Sequence, residues 1–191
     1  MSGRRAVTID SSESATVQYS PDDLHGLMNT TNTTPVLTRL FSELVDGTGV
    51  GTSAFVLNSG DEGLLRSLDK LSAADASGSV NGGATIAAHA QHLRYGLSLM
   101  NRWAAEGGDP FADATWDEAW KTSVVDATAW TEIRNGMRDE THHWLQVVHA
   151  KRDVAEVELT GMIASIAHLA YHLGAIRQIN KQTRGPKEGT F

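Results

Sequence analysis

The chain reads as an all-α protein, and three observations predict it. Apolar residues recur at helical spacing over several long stretches. No run alternates apolar and polar residues convincingly enough to be a strand, and Gly-rich breaks such as GTGVG and SGSVNGG separate the periodic stretches. Several long helices around one core make a four-helix bundle the expected architecture, preceded by an N-terminal helical extension. A chain of 191 residues can bury one sizeable core, and nothing in its length requires a second domain.

Residues 1–22 are rich in Ser, Thr and Asp and poor in large apolar side chains. They cannot bury enough surface to offset the entropy of ordering and are expected to form a flexible tail. The extension covers residues 23–52. It holds a short amphipathic helix from Thr34 to Val45, with Pro35 in the first turn and Val36, Leu37, Leu40, Phe41 and Leu44 at helical spacing, before GTGVG breaks the chain. The bundle is expected over residues 53–180. Its first helix falls in SAFVLNSGDEGLLRSLDKLSA, where Gly60 and Gly63 interrupt the pattern, so the helix is kinked or starts only at Asp61.

The second helix is ATIAAHAQHLRYGLSLMNRWAAE. At about 100° per residue, Thr85, His89, His92, Gly96, Leu99, Met100 and Trp103 share one arc of it. Gly96 costs roughly 1 kcal/mol relative to Ala inside a helix, which calls for a reason such as close packing or room for a ligand. DPFADATWDEAW then reads as a loop anchored by Phe111, Trp116 and Trp120. Core packing is the expected use of the five tryptophans, with pocket lining as the alternative. A third helix runs from Ala127 to His149. Trp130, Ile133, Met137, Trp144, Leu145 and Val148 form its inward stripe, Glu140 lies at the stripe's edge, and His142, His143 and His149 project toward solvent. The last helix, LTGMIASIAHLAYHLGAIRQI, is Pro-free and apolar on most sides, as a helix buried in a bundle would be. Gly185 and Pro186 lie in a C-terminal tail over residues 181–191.

The net charge of -7, with basic residues scattered, argues against a nucleic-acid partner. The absence of cysteine excludes disulfides, thiolate metal sites and a cysteine nucleophile, so any metal site uses nitrogen and oxygen ligands. The N-terminal segment has no apolar signal-like core, and no window reaches about 18 uninterrupted apolar residues. A cytoplasmic protein with no membrane partner is the expectation.

The chemistry concentrates in histidine. His168 and His172, four residues apart, stack on one face of the last helix, among the small residues Gly161, Ser165 and Ala175. The second helix carries H-x-x-H. Three neutral imidazoles around a divalent ion leave an open position for water or substrate, and bundle cores commonly house such sites. The competing reading is bland: a buried histidine is often a hydrogen-bonded core residue, and such pairs arise by chance in Ala-rich helices. No H-E-x-x-H is present, so the usual metalloprotease arrangement is absent.

Two segments, GGATIAAHAQHLRYGLSLMNRWA and SIAHLAYHLGAIRQI, resemble the histidine-bearing helices of the DinB-like superfamily, which includes YfiT-type metal-dependent hydrolases. The family pattern has a histidine followed by an apolar residue on the second helix, and H-x-x-x-H near the end of the last in a context like H-x-x-Y/W-H-x-G-x-I. HLAYHLGAI is similar to the second motif, and QHL puts His92 at the single-histidine position. Over residues 53–180 the resemblance implies that His92, His168 and His172 hold a divalent metal, with His89 one turn away as a pocket residue. Zinc is the simplest choice, and nickel or iron also suit an all-imidazole site. Gly96, Trp103 and Glu140 are the other pocket candidates. The resemblance implies a hydrolase or thiol transferase whose metal activates water or a low-molecular-weight thiol toward a small-molecule substrate, and it implies a homodimer. Glu140, Asp61 and His89 are the side chains of the right type for a general base. A DNA-directed role conflicts with the acidic charge. The alternative function is a non-catalytic bundle that binds a ligand or partner and keeps its histidines as a pocket or a structural metal site. A fourth protein ligand, such as Glu140, would favour it.

Overall fold

The computed structural model describes residues 33–150 and 154–187, so the expected flexible tail and residues 23–32 of the extension lie outside the described residues. Seven helices and no strand occur among those residues. They are α1 Thr33–Asp46, α2 Gly63–Asp69, α3 Ala73–Ser77, α4 Ile86–Glu106, α5 Trp116–Trp120, α6 Ala127–His149 and α7 Glu156–Ile179, followed by a 3-10 turn, Lys181–Thr183. The chain is all-α, as expected.

One apolar core joins α1, α4, α6 and α7. Phe41, Leu44 and Val45 of α1 are fully enclosed in it, with Trp130, Met137 and Trp144 of α6 and Met162, Leu169 and Ile176 of α7. The helix placed in an extension therefore belongs to the core, packing on α2, α6 and α7. Conversely, the segment expected to supply a first bundle helix forms only two turns in α2 and a short α3. Gly63 opens α2 at φ +70°, and Gly47, directly after α1, begins the loop between them at φ +85°. A Cβ on Gly63 would stand 2.4 Å from the Gly47 nitrogen, and one on Gly47 would stand 2.1 Å from the Asp61 carbonyl. This close backbone crossing stops the helix from extending backward. The loop between is tied down by Glu43, a buried carboxylate that accepts from the backbone N–H groups of Phe55, Val56 and Leu57 at 2.6–3.0 Å.

Residues 181–187 are not a free tail. Thr183 is buried, and Asn58 donates to the Pro186 carbonyl at 2.8 Å. Asp61, 2 % exposed, accepts from Arg177 of α7 at 2.7 Å and from the Gly63 N–H at 2.9 Å, joining the loop to the end of α7. That commitment removes Asp61 from the general-base candidates.

The last helix differs from expectation in two ways. By length and composition α7 is long and apolar enough to cross a membrane, although Thr160, Ser165, His168 and His172 interrupt its apolar run. Only one face is buried, through Met162, Leu169, His172, Leu173 and Ile176, while Val157, Ile163 and Tyr171 are exposed. The outward face also carries Ala167 and Gly174, small residues that each expose little apolar area.

Candidate metal centre

Thr85 caps α4, its hydroxyl accepting from the Ala88 N–H and donating to the Ser123 carbonyl. The cap sets the rotation at which His89 and His92 emerge toward α7. On α7 the four-residue spacing stacks His168 and His172, as their positions predict. Nε2 of His168 lies 2.9 Å from Nε2 of His172 and 3.1 Å from Nε2 of His92. One ligand atom from each of the three lies within 4.8 Å of the others.

This convergence fits a cation better than it fits hydrogen bonding alone. Nε2 of His168 carries either one N–H or one in-plane lone pair, so it makes a well-aligned hydrogen bond to only one of its two Nε2 neighbours. The other approach is left without a hydrogen bond, whereas an ion held by three in-plane lone pairs would satisfy all three atoms. The cluster of His92, His168 and His172 can hold a metal ion, and among the described residues it is the group of converging ligands, with no carboxylate in it.

His89 stands behind His172, Nδ1 to Nδ1 at 2.8 Å. With Nε2 of His172 left as a lone pair, its proton sits on Nδ1 and is donated to Nδ1 of His89. Such a bond fixes the tautomer and ring angle of a ligand. His92 is held differently. Its Nδ1 is buried with no hydrogen-bond partner among the described residues, and its ring stacks on Trp120 at 4.3 Å between centroids and packs on Trp116 at 5.3 Å. Trp116 and Trp120 belong to α5, read from sequence as loop anchors destined for the core. Trp130 and Trp144 are the fully buried tryptophans, and α5 instead covers the histidines. The four-residue spacing of Trp116 and Trp120, the same as that of His168 and His172, was the available signal.

Burial keeps all four imidazoles neutral. His92 is pushed down to about 4 and His172 to about 3, chiefly by removal from water and secondarily by neighbouring imidazoles. His89 and His168 are lowered by burial as well. Neutral rings have lone pairs ready for a metal at pH 7.

A cavity of about 630 Å³ opens against His168, between α4, α7 and the segment leading to α5. Gly96 and Trp103, both expected at the pocket, line it. A Cβ on Gly96 would meet the Trp116 ring at 3.5 Å and His168 Cε1 at 3.8 Å, ordinary van der Waals contact, so the packing of those rings does not itself require glycine. His89 is not on this wall, and neither is Glu140, the last of the pocket candidates. Its carboxylate accepts from the Asn101 amide at 2.6 Å, and its carbonyl accepts from the same amide at 3.0 Å, pinning α6 to α4. His142, His143 and His149 are exposed, as their position off the stripe predicts.

Comparison with protein-family models, curated proteins and solved structures finds no match to this chain. The functional reading rests on the site itself.

Proposed function

We propose that this chain is a metal-dependent enzyme with the four-helix-bundle arrangement of the DinB-like superfamily, α1, α4, α6 and α7 being the four helices. In this reading His92, His168 and His172 hold one divalent ion, most simply zinc. The observation that carries it is the meeting of three neutral Nε2 atoms beside a roomy cavity. Held by these three imidazoles, such an ion would supply Lewis acidity that lowers the pKa of water toward about 7 or stabilises a thiolate. That chemistry suits hydrolysis or thiol transfer.

The protein's own groups have distinct tasks in this scheme. His168 presents the centre to the cavity, His89 orients His172, and the tryptophans of α5 shield His92 from water. A purely structural metal site would be closed by a fourth protein ligand. Glu140, the residue named for that task, is committed to Asn101, which favours catalysis over the non-catalytic alternative.

Elemental analysis of protein purified under metal-replete conditions tests the proposal. About one equivalent of divalent metal is expected in the wild type, with loss in His168→Ala and His172→Ala. A metal-free wild type, or full occupancy in both variants, contradicts it.

A further inference from the structure

We infer that the cavity beside the histidines takes a small molecule with an uncharged, predominantly apolar body as the ligand delivered to this centre. The inference rests on the three-histidine centre proposed above and names its substrate class. The cavity, at about 630 Å³, is the size of sites that enclose a drug-sized ligand. Its wall is built by Leu93, Leu97, Met100, Trp103, Trp116 and Leu169, with Phe111 at the exposed rim.

The polar groups on that wall are already engaged. Ser165 donates to the Met162 carbonyl at 2.7 Å and accepts from the Trp144 indole at 2.8 Å. Thr160 donates to the Glu156 carbonyl at 2.8 Å. No lysine or arginine lines the wall among the described residues. The nearby Arg102 is bound to Asp113 and to the Pro110 carbonyl. Asp109, exposed at the rim, is the one carboxylate on the wall and accepts from the Phe111 N–H at 2.9 Å, so a negative charge on the body of a ligand meets a like charge there and a positive one meets only a carboxylate already hydrogen-bonded at the edge.

His168 is the one member of the triad on the wall. His92 lies beneath Trp120, whose ring centroid is also 5.7 Å from that of His172. A ligand in the cavity therefore reaches the centre past His168, leading with a single polar group such as a carbonyl or hydroxyl. The wall selects against the charged body of a thiol cosubstrate as occupant.

A matched series tests this: 1-naphthylmethanol and two derivatives that keep its hydroxymethyl group but carry a sulfonate or an ammoniomethyl group at position 5 of the far ring, titrated calorimetrically into the full-length protein, with metal content measured on the same samples. The alcohol is expected to bind at least about tenfold tighter than either ion. Ala164→Phe and Thr160→Trp fill the cavity from exposed turns of α7. Each is expected to weaken the alcohol by about tenfold or more while metal content and helical circular dichroism stay unchanged. No binding of the alcohol to metal-loaded protein, equal or tighter binding of either ion, or unchanged affinity in both folded variants overturns the inference. Alcohol binding by wild-type protein that carries no metal contradicts the metal reading instead.

Discussion

His89 and His172 face each other through Nδ1 at 2.8 Å, which leaves Nε2 of His172 free to point at His168. If that bond orients a ligand, its loss weakens the metal without emptying the site. His89→Ala is expected to lower metal affinity by roughly 10- to 100-fold, measured by competition with a chelator, with the fold retained. Unchanged affinity would show that His89 is only packing. The four buried imidazoles, His89, His92, His168 and His172, set a pH dependence. Their folded-state pKa values lie below the ordinary 6.5, at about 4 for His92 and about 3 for His172. Between those values and 6.5 the unfolded chain binds protons that the folded chain does not, so stability falls as pH falls through that window and is fully present above it. Thermal melts of the metal-free protein should show the midpoint dropping from pH 6.5 toward 4, with a shallower drop in His172→Phe. A flat profile would contradict the assigned burial. Spacing alone made His168 and His172 legible. His92 came from the motif resemblance, while the service of His89 to His172 depends on a ring angle set by the tertiary packing of α4 on α7.

At the scale of elements, α4, α6 and α7 were readable because each carries a long helical period with a cap or breaker at its ends. The expected Ala127 to His149 matches α6 residue for residue. The place of α1 was not readable. Its stripe of Leu37, Phe41 and Leu44 declares an amphipathic helix, but not what it packs against. The segment after Gly47 was misjudged because its leucines mimic a bundle helix, while the crossing at Gly47 and Gly63 is a long-range backbone contact. The tie between this loop and α7 is Asp61 with Arg177, whose side chains are 2 % and 17 % exposed. Arg177→Ala leaves a buried carboxylate without its charge partner and is expected to cost about 3–5 kcal/mol of stability in denaturant melts. A loss below about 1 kcal/mol would mean that solvent reaches Asp61 readily.

Across the whole molecule, the helices place an apolar cavity and three convergent imidazoles side by side. Trp116 belongs to both, packing on His92 and lining the cavity. An all-α fold was evident from periodicity, and a histidine centre from the clustering of histidines on two helices. The cavity was not, because its wall is assembled from α4, α7 and the loop after Gly108, stretches that no sequence spacing relates. The account's central claim is a metal held by three imidazoles with an open side. X-ray absorption at the zinc edge of zinc-loaded protein tests it most directly. The prediction is three imidazole nitrogens at about 2.0–2.1 Å plus one light-atom ligand from solvent, falling to fewer imidazoles in His92→Ala. Four protein ligands, or a wild-type spectrum indistinguishable from that of zinc in buffer, would contradict it.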